Sequence, residues 1–287
     1  MSGELCAQPK VTMQRQKCGK TSKIALLKAN QNNNLEWGFA VNDLDELLKK
    51  KIRYEGGVPV ITRLMIEELC EHILEEYHEN ATMTSGAVDV EFLIENCFGM
   101  QIDIQTLQPD GEILGETIFI DGEREVFGGK NGTTPERLRV KSGTMLLDAF
   151  MYDNMVIRAR FTQAHELGHW IMHQRFYSGS DNRACRSNMK QPLHFSHICS
   201  KTPIEWTEWQ ANAFAAALLL PKKAMHDFTL AFLKNEGLSW SKLTDFDDYE
   251  SRKKYVELLH LISEDFYVSL ETARLRLNKL AGVQFPN

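Results

Sequence analysis

The segment Ala164-His165-Glu166-Leu167-Gly168-His169-Trp170 constrains this chain more than any other. It lies inside residues 153–173, which carry a helical pattern of apolar positions. Four residues turn a helix by about 400°, so His165 and His169 stand nearly one above the other, one turn apart. Both imidazoles can then reach a single metal ion. Glu166 is rotated about 100° from His165. It points beside that ion, where a carboxylate can take a proton from a metal-activated water. The bare motif also arises on plain surface helices, so it needs a second signal. Gly168 and Ala164 are small enough to let another element approach closely.

The second signal is Glu208-Trp209-Gln210-Ala211-Asn212-Ala213-Phe214-Ala215. Catalytic zinc takes three protein ligands and keeps one position open. Two histidines therefore need a third partner, and Glu208 on a separate helix can supply it. Glu205, one turn earlier, is the competing carboxylate. Glu208 is preferred because Ala211, Asn212 and Ala215 give it a small, packable face. Asn212, one turn further on, can hydrogen-bond the outer nitrogen of a ligating histidine. His173 continues the i, i+4 series but lies a further turn along. It reads as packing or as a helix C-terminal contact rather than a fourth ligand.

Length and composition permit a large buried core: 287 residues, 43% hydrophobic and 25% charged. The net charge of -6 argues against a chain that binds nucleic acid over its whole surface. Residues 1–34 are polar and rich in Gln, Asn and Lys, and are expected to be disordered. No apolar h-region follows the N-terminal basic residues, and no apolar run is long enough to span a bilayer, so a cytoplasmic location is expected. The six cysteines show no C-x-x-C spacing, and most of them read as reduced, buried core thiols.

Along the chain, Asn42 or Asp43 can cap a short helix through Lys51, ended by Gly56-Gly57. Residues 61–77 repeat apolar positions at helical spacing, and 88–96 give a shorter helix. The period then changes. Residues 100–107, 117–121, 125–127 and 143–148 read as short strands with hairpin-type links. They predict a small twisted sheet, mostly antiparallel or mixed, and an α+β fold. Either 143–148 or 117–121 is a candidate edge on which a peptide could lie as an added strand. Residues 175–204 read as a long connection. A helix at 203–220 stops at Pro221, and a helical C-terminal region follows.

With these residues in place, the chain resembles the ImmA/IrrE family of zinc metallo-endopeptidases. The likeness is carried by Arg160-Phe161-Thr162-Gln163-Ala164-His165-Glu166-Leu167-Gly168-His169, by Glu208-x-x-Ala211-Asn212-x-Phe214-Ala215, and by Leu218-Leu219-Leu220-Pro221. It covers roughly residues 60–225. It implies a thermolysin-like (gluzincin-type) core, with His165, His169 and Glu208 as ligands of Zn2+ and Glu166 as general base. It also implies a regulatory protein substrate, such as a helix-turn-helix repressor cleaved to release stress or mobile-element genes. The link from His169 to Glu208 is longer than is usual in the family, because of the insert at 175–204.

Within that insert His194, His197 and Tyr177 are candidate transition-state donors. The set Cys185, His194, His197 and Cys199 fits no standard zinc finger. The expected division is a metallopeptidase domain at 35–225 and a helical region at 226–287, with a helix-turn-helix-like pair at 255–281. Arg274, Arg276 and Lys279 would give the last helix a basic face. The competing reading is a non-catalytic regulator or binding module that uses these helices, with DNA as a candidate partner and the metal as structural support. A helical pair packed on the catalytic domain is the preferred account of the segment.

Overall fold

A computed structural model describes residues 50–77, 86–129, 131–179, 185–188 and 202–281. The expectations for 1–34, and for a helix from Asn42 or Asp43, lie outside them or nearly so. The described chain opens with a hairpin, β1 (Tyr54–Glu55) and β2 (Val58–Pro59). Its turn is Gly56-Gly57, with φ of 57° and 87°. Two successive positive φ angles suit a tight hairpin turn, and glycine adopts them without a Cβ penalty. These glycines therefore turn a hairpin; they do not end a helix. Helix α1 (Arg63–Tyr77) follows and buries Ile66, Leu69, Cys70, Ile73 and Leu74 along one face. Cys70 and Cys97 are both buried, and neither is in a disulfide. Asp89 caps the short α2 (Val90–Phe92), which runs into a π-helical turn at Leu93–Cys97.

The main sheet has four strands in the order β3 (Gln101–Gln105), β7 (Thr144–Asp148), β4 (Ile113–Thr117), β8 (Cys185–Asn188). β3 and β7 are parallel, and the other two pairings are antiparallel. The fold is thus α+β with a mixed sheet. Two expectations need correction. First, the strand expected at 117–121 lies at Ile113–Thr117. Every residue of β4 is buried, so the inside–outside alternation that marks a half-exposed strand is missing. Second, β7 has β3 on one side and β4 on the other, so 143–148 is not an edge. Thr117 is also paired on both sides, with Met145 and Cys185. A separate hairpin joins β5 (Gly122–Gly128) to β6 (Thr134–Val140).

Helix α3 (Ala149–Asn154) is capped by Asp148 and breaks at Met155 before α4 (Val156–Met172). Residues 175–204 are not a plain connection. They contain most of α5 (Gln174–Ser178), then β8 and the start of α6 (Pro203–Leu219). Thr202 and Glu205 close a capping box at the start of α6, with Pro203 in the first turn. Glu205, the rival carboxylate, is thereby engaged by the backbone of its own helix end.

Helix α7 (Lys222–Glu236) runs through the boundary expected at 225, and α8 (Trp240–Leu243), α9 (Tyr249–Asp265) and α10 (Leu270–Ala281) follow. The expected basic face of α10 does not form. Arg276 is 2% exposed and is held bidentately by Glu67 of α1, while its Nε donates to the Leu220 carbonyl at 2.9 Å. Arg274 pairs with Glu271 on its own helix. An isolated buried guanidinium is costly, which is why Arg276 takes a carboxylate and a carbonyl. Among the described residues no helix is long and apolar enough to cross a membrane.

Candidate metal centre

Helix α4 is buried nearly all round from Ala159 to Met172, packed between β4 and α6. Gly115 of β4 brings the sheet onto this helix. A Cβ there would meet Thr162 Cγ2 at 2.9 Å and Glu166 Cγ at 3.3 Å. On the other side Gly168 admits Phe214 of α6. These two close approaches set α6 and β4 against the motif helix, as the small residues in the sequence imply.

His165 and His169 are 3% and 0% exposed, and their Nε2 atoms lie 2.9 Å apart. Glu208 reaches across from α6. Its Oε2 is 3.3 Å from His165 Nε2, and its Oε1 is 3.3 Å from His169 Nε2. The donor atoms of the three residues all lie within 4.8 Å of one another and could hold a metal ion. The fit is close, because two donors 2.0–2.1 Å from a tetrahedral ion stand roughly 3.3 Å apart. Glu208 Oε2 is buried and faces His165 Nε2 at a long 3.3 Å, as expected of an atom aimed at an ion shared with that ring.

The electrostatics agree with this crowding. Burial alone would raise the Glu208 carboxyl, but the imidazoles of His169 and His165 hold it well below the usual carboxylate range. Burial pushes His165 down, and the hydrogen bond and charge of Glu208 more than offset it, so its pKa rises. Burial, reinforced by His169, keeps His173 well below the ordinary imidazole value.

Glu166 is fully buried beside the triad. The hydroxyl of Thr117 donates to its Oε2 at 2.6 Å. Asn212 Oδ1 lies 3.0 Å from His165 Nδ1, on the outer side of that ring. His173 caps α4 through its backbone N–H, and its ring meets the outer nitrogen of His169 at 3.0 Å. Tyr177 stacks on Phe119 and meets the His169 ring edge to face, and its hydroxyl is 3.2 Å from Thr207 Oγ1. His194 and His197 lie outside the described residues, as does the four-residue Cys/His set in all but the backbone at Cys185. Thr117, Gln210 and the contact made by the His173 ring were not identified from sequence. The roles of Thr117 and Gln210 depend on meetings between segments far apart in the chain, while the His173 ring meets His169 across one local turn.

Residues 152–278 match the Peptidase_M78 family model, described as the IrrE N-terminal-like domain. Comparison with curated proteins and with solved structures gave no match.

Proposed function

With residues 152–278 assigned to the IrrE N-terminal-like family of Peptidase_M78, which supports the ImmA/IrrE assignment of the chain, we propose that this protein is a zinc-dependent endopeptidase. Its core is read as thermolysin-like (gluzincin-type), with His165, His169 and Glu208 as ligands and Glu166 as general base. The observation that carries this reading is the convergence of two imidazole nitrogens and one carboxylate from separate helices, with a second carboxylate beside them. The donor set of two histidines and one glutamate is a known catalytic zinc set, which leaves a position open for water or substrate.

A bound zinc ion supplies Lewis acidity and brings the pKa of water to about 7. The chain's own residues do the rest. Glu166 accepts the water proton and delivers it to the leaving amine. Thr117 donates to one oxygen of the Glu166 carboxylate and so orients it. Asn212 accepts from His165 Nδ1 and keeps the Nε2 lone pair turned inward. The substrate is proposed to be a regulatory protein such as a helix-turn-helix repressor, the class implied by the ImmA/IrrE resemblance, and the site of action the cytoplasm.

The test is incubation of the zinc-loaded protein with candidate repressors, with and without chelator, read by mass spectrometry. The wild type should cut at one site and stop with chelator, while Glu166→Gln should retain zinc and lose cleavage. A Glu166→Gln protein that still cuts would sink the reading, as would a wild type that fails to bind zinc.

A further inference from the structure

The outer nitrogens of the two triad histidines meet different partners. His165 Nδ1 faces the side chain of Asn212, whereas His169 Nδ1 faces a second imidazole, His173 Nδ1, at 3.0 Å. Two ring nitrogens at that separation share one proton, so one must donate and the other accept. The far end of the chain of contacts decides which.

His173 Nε2 lies 2.8 Å from Oε1 of Gln210, and Nε2 of Gln210 lies 2.8 Å from the carbonyl oxygen of Pro59. A backbone carbonyl can only accept. The Gln210 atom that faces it must therefore be the amide nitrogen, which puts the amide oxygen against His173. That oxygen also only accepts, so His173 carries a proton on Nε2. His169, His173 and Gln210 are all 0% exposed. A ligand keeps its metal-facing nitrogen unprotonated, so a neutral His169 facing the triad through Nε2 holds its proton on Nδ1, the atom turned to His173. A neutral His173 protonated at Nε2 has a lone pair on Nδ1, and that lone pair accepts from His169 Nδ1–H. His169 is left with its lone pair on Nε2, 3.3 Å from Glu208 Oε1 and 2.9 Å from His165 Nε2; an ion seated there takes the place of a proton between the two rings, and without the ion His165 Nε2 is the donor across that contact.

We propose that the Pro59 carbonyl, Gln210 and His173 form a hydrogen-bond relay that fixes His169 in its Nδ1–H tautomer and so presents Nε2 to the metal. Gln210 and His173 are positioning residues, acting through His169. The relay rests on the reading of the triad as a zinc site, and it starts outside the family-matched residues, on the β1–β2 hairpin. That short hairpin is thereby tied to the metal centre, and the strict direction of each bond rejects the other tautomer.

The test uses long-range 1H–15N correlation spectra of the full chain, metal-free and labelled at histidine. His169 should appear as the Nδ1–H form and His173 as the Nε2–H form. In a Gln210→Met variant, which keeps side-chain length and removes the amide, His169 should show a tautomer mixture. Its zinc affinity, measured by chelator competition, should fall about 10–100-fold. An Nε2–H form of His169 in the wild type overturns the proposal, as does unchanged zinc affinity in a Gln210→Met protein whose circular dichroism shows it folded. Should that variant not fold, the wild-type spectra decide alone. If the wild type binds no zinc, the peptidase reading fails, and the metal-free spectra still judge the relay.

Discussion

Gly168 of α4 faces Phe214 of α6 so closely that a methyl group on residue 168 would stand 2.9 Å from Phe214 Cδ1 and 3.1 Å from Cγ. Phe214 is fully buried. Alanine would gain about 1 kcal/mol over glycine in a helix interior, while overpacking a buried site costs about 1–3 kcal/mol. Gly168→Ala is expected to lose about 1 kcal/mol in chemical denaturation. It should also weaken zinc binding, because α6 carries Glu208 and would be pushed away from the histidines. A Gly168→Ala protein more stable than the wild type would show that the two helices are not packed this tightly.

This contact also shows how much a single sequence can reveal. Small residues at Gly168 and Ala164, a two-histidine helix and a later acid are all local signals, and the structure brings them together. The parts that escaped were those whose pattern was hidden. β4 is covered on both faces and does not alternate. β6 (Thr134–Val140) turns only Leu138 and Val140 inward and is otherwise exposed, so its apolar pattern is too short to read. Gly56-Gly57 is a turn signal that suits a helix end as well as a hairpin. Gln210 and Thr117 gain their roles from Pro59 and Glu166, partners 151 and 49 residues away, and no local pattern encodes such pairs.

The short contact between Thr117 and Glu166 separates orientation of the base from its presence. Thr117→Val keeps the side-chain shape and removes the hydroxyl that donates at 2.6 Å. The loss of one hydrogen bond should cost about 1 kcal/mol of stability. The cleavage rate should fall about tenfold with zinc content unchanged, which is the signature of a misaligned carboxylate. Thr117→Ser should recover most of the rate. Cleavage by Thr117→Val at the wild-type rate would mean that Glu166 is oriented by other contacts.

The buried pair of Glu67 and Arg276 joins the first described helix to the last. Glu67 is 8% exposed and Arg276 2%. Removing one partner of a buried pair leaves an uncompensated charge and costs about 3–5 kcal/mol. Glu67→Gln should therefore lower the thermal midpoint by several degrees and make Leu270–Ala281 an early target of limited proteolysis. A variant with unchanged protease resistance in that helix would show that its apolar contacts alone hold it.

Tyr152 gives a pH dependence whose sign can be worked out. Its hydroxyl donates to Glu91 at 2.9 Å, and Glu91 also accepts from Gln163 of the motif helix. Burial, with the hydrogen bond and charge of Glu91, raises the phenol from 10.0 to about 12. The folded pKa is above the unfolded one, so between pH 10 and about 12 the folded state holds a proton that the unfolded chain has released. The contribution is present below pH 10 and is lost as the pH rises through about 12. Stability measured by urea denaturation should decline across that window in the wild type, and Tyr152→Phe should decline less. If both proteins lose stability in parallel from pH 10 to 12, the Tyr152 contact to Glu91 does not favour the protonated phenol in solution.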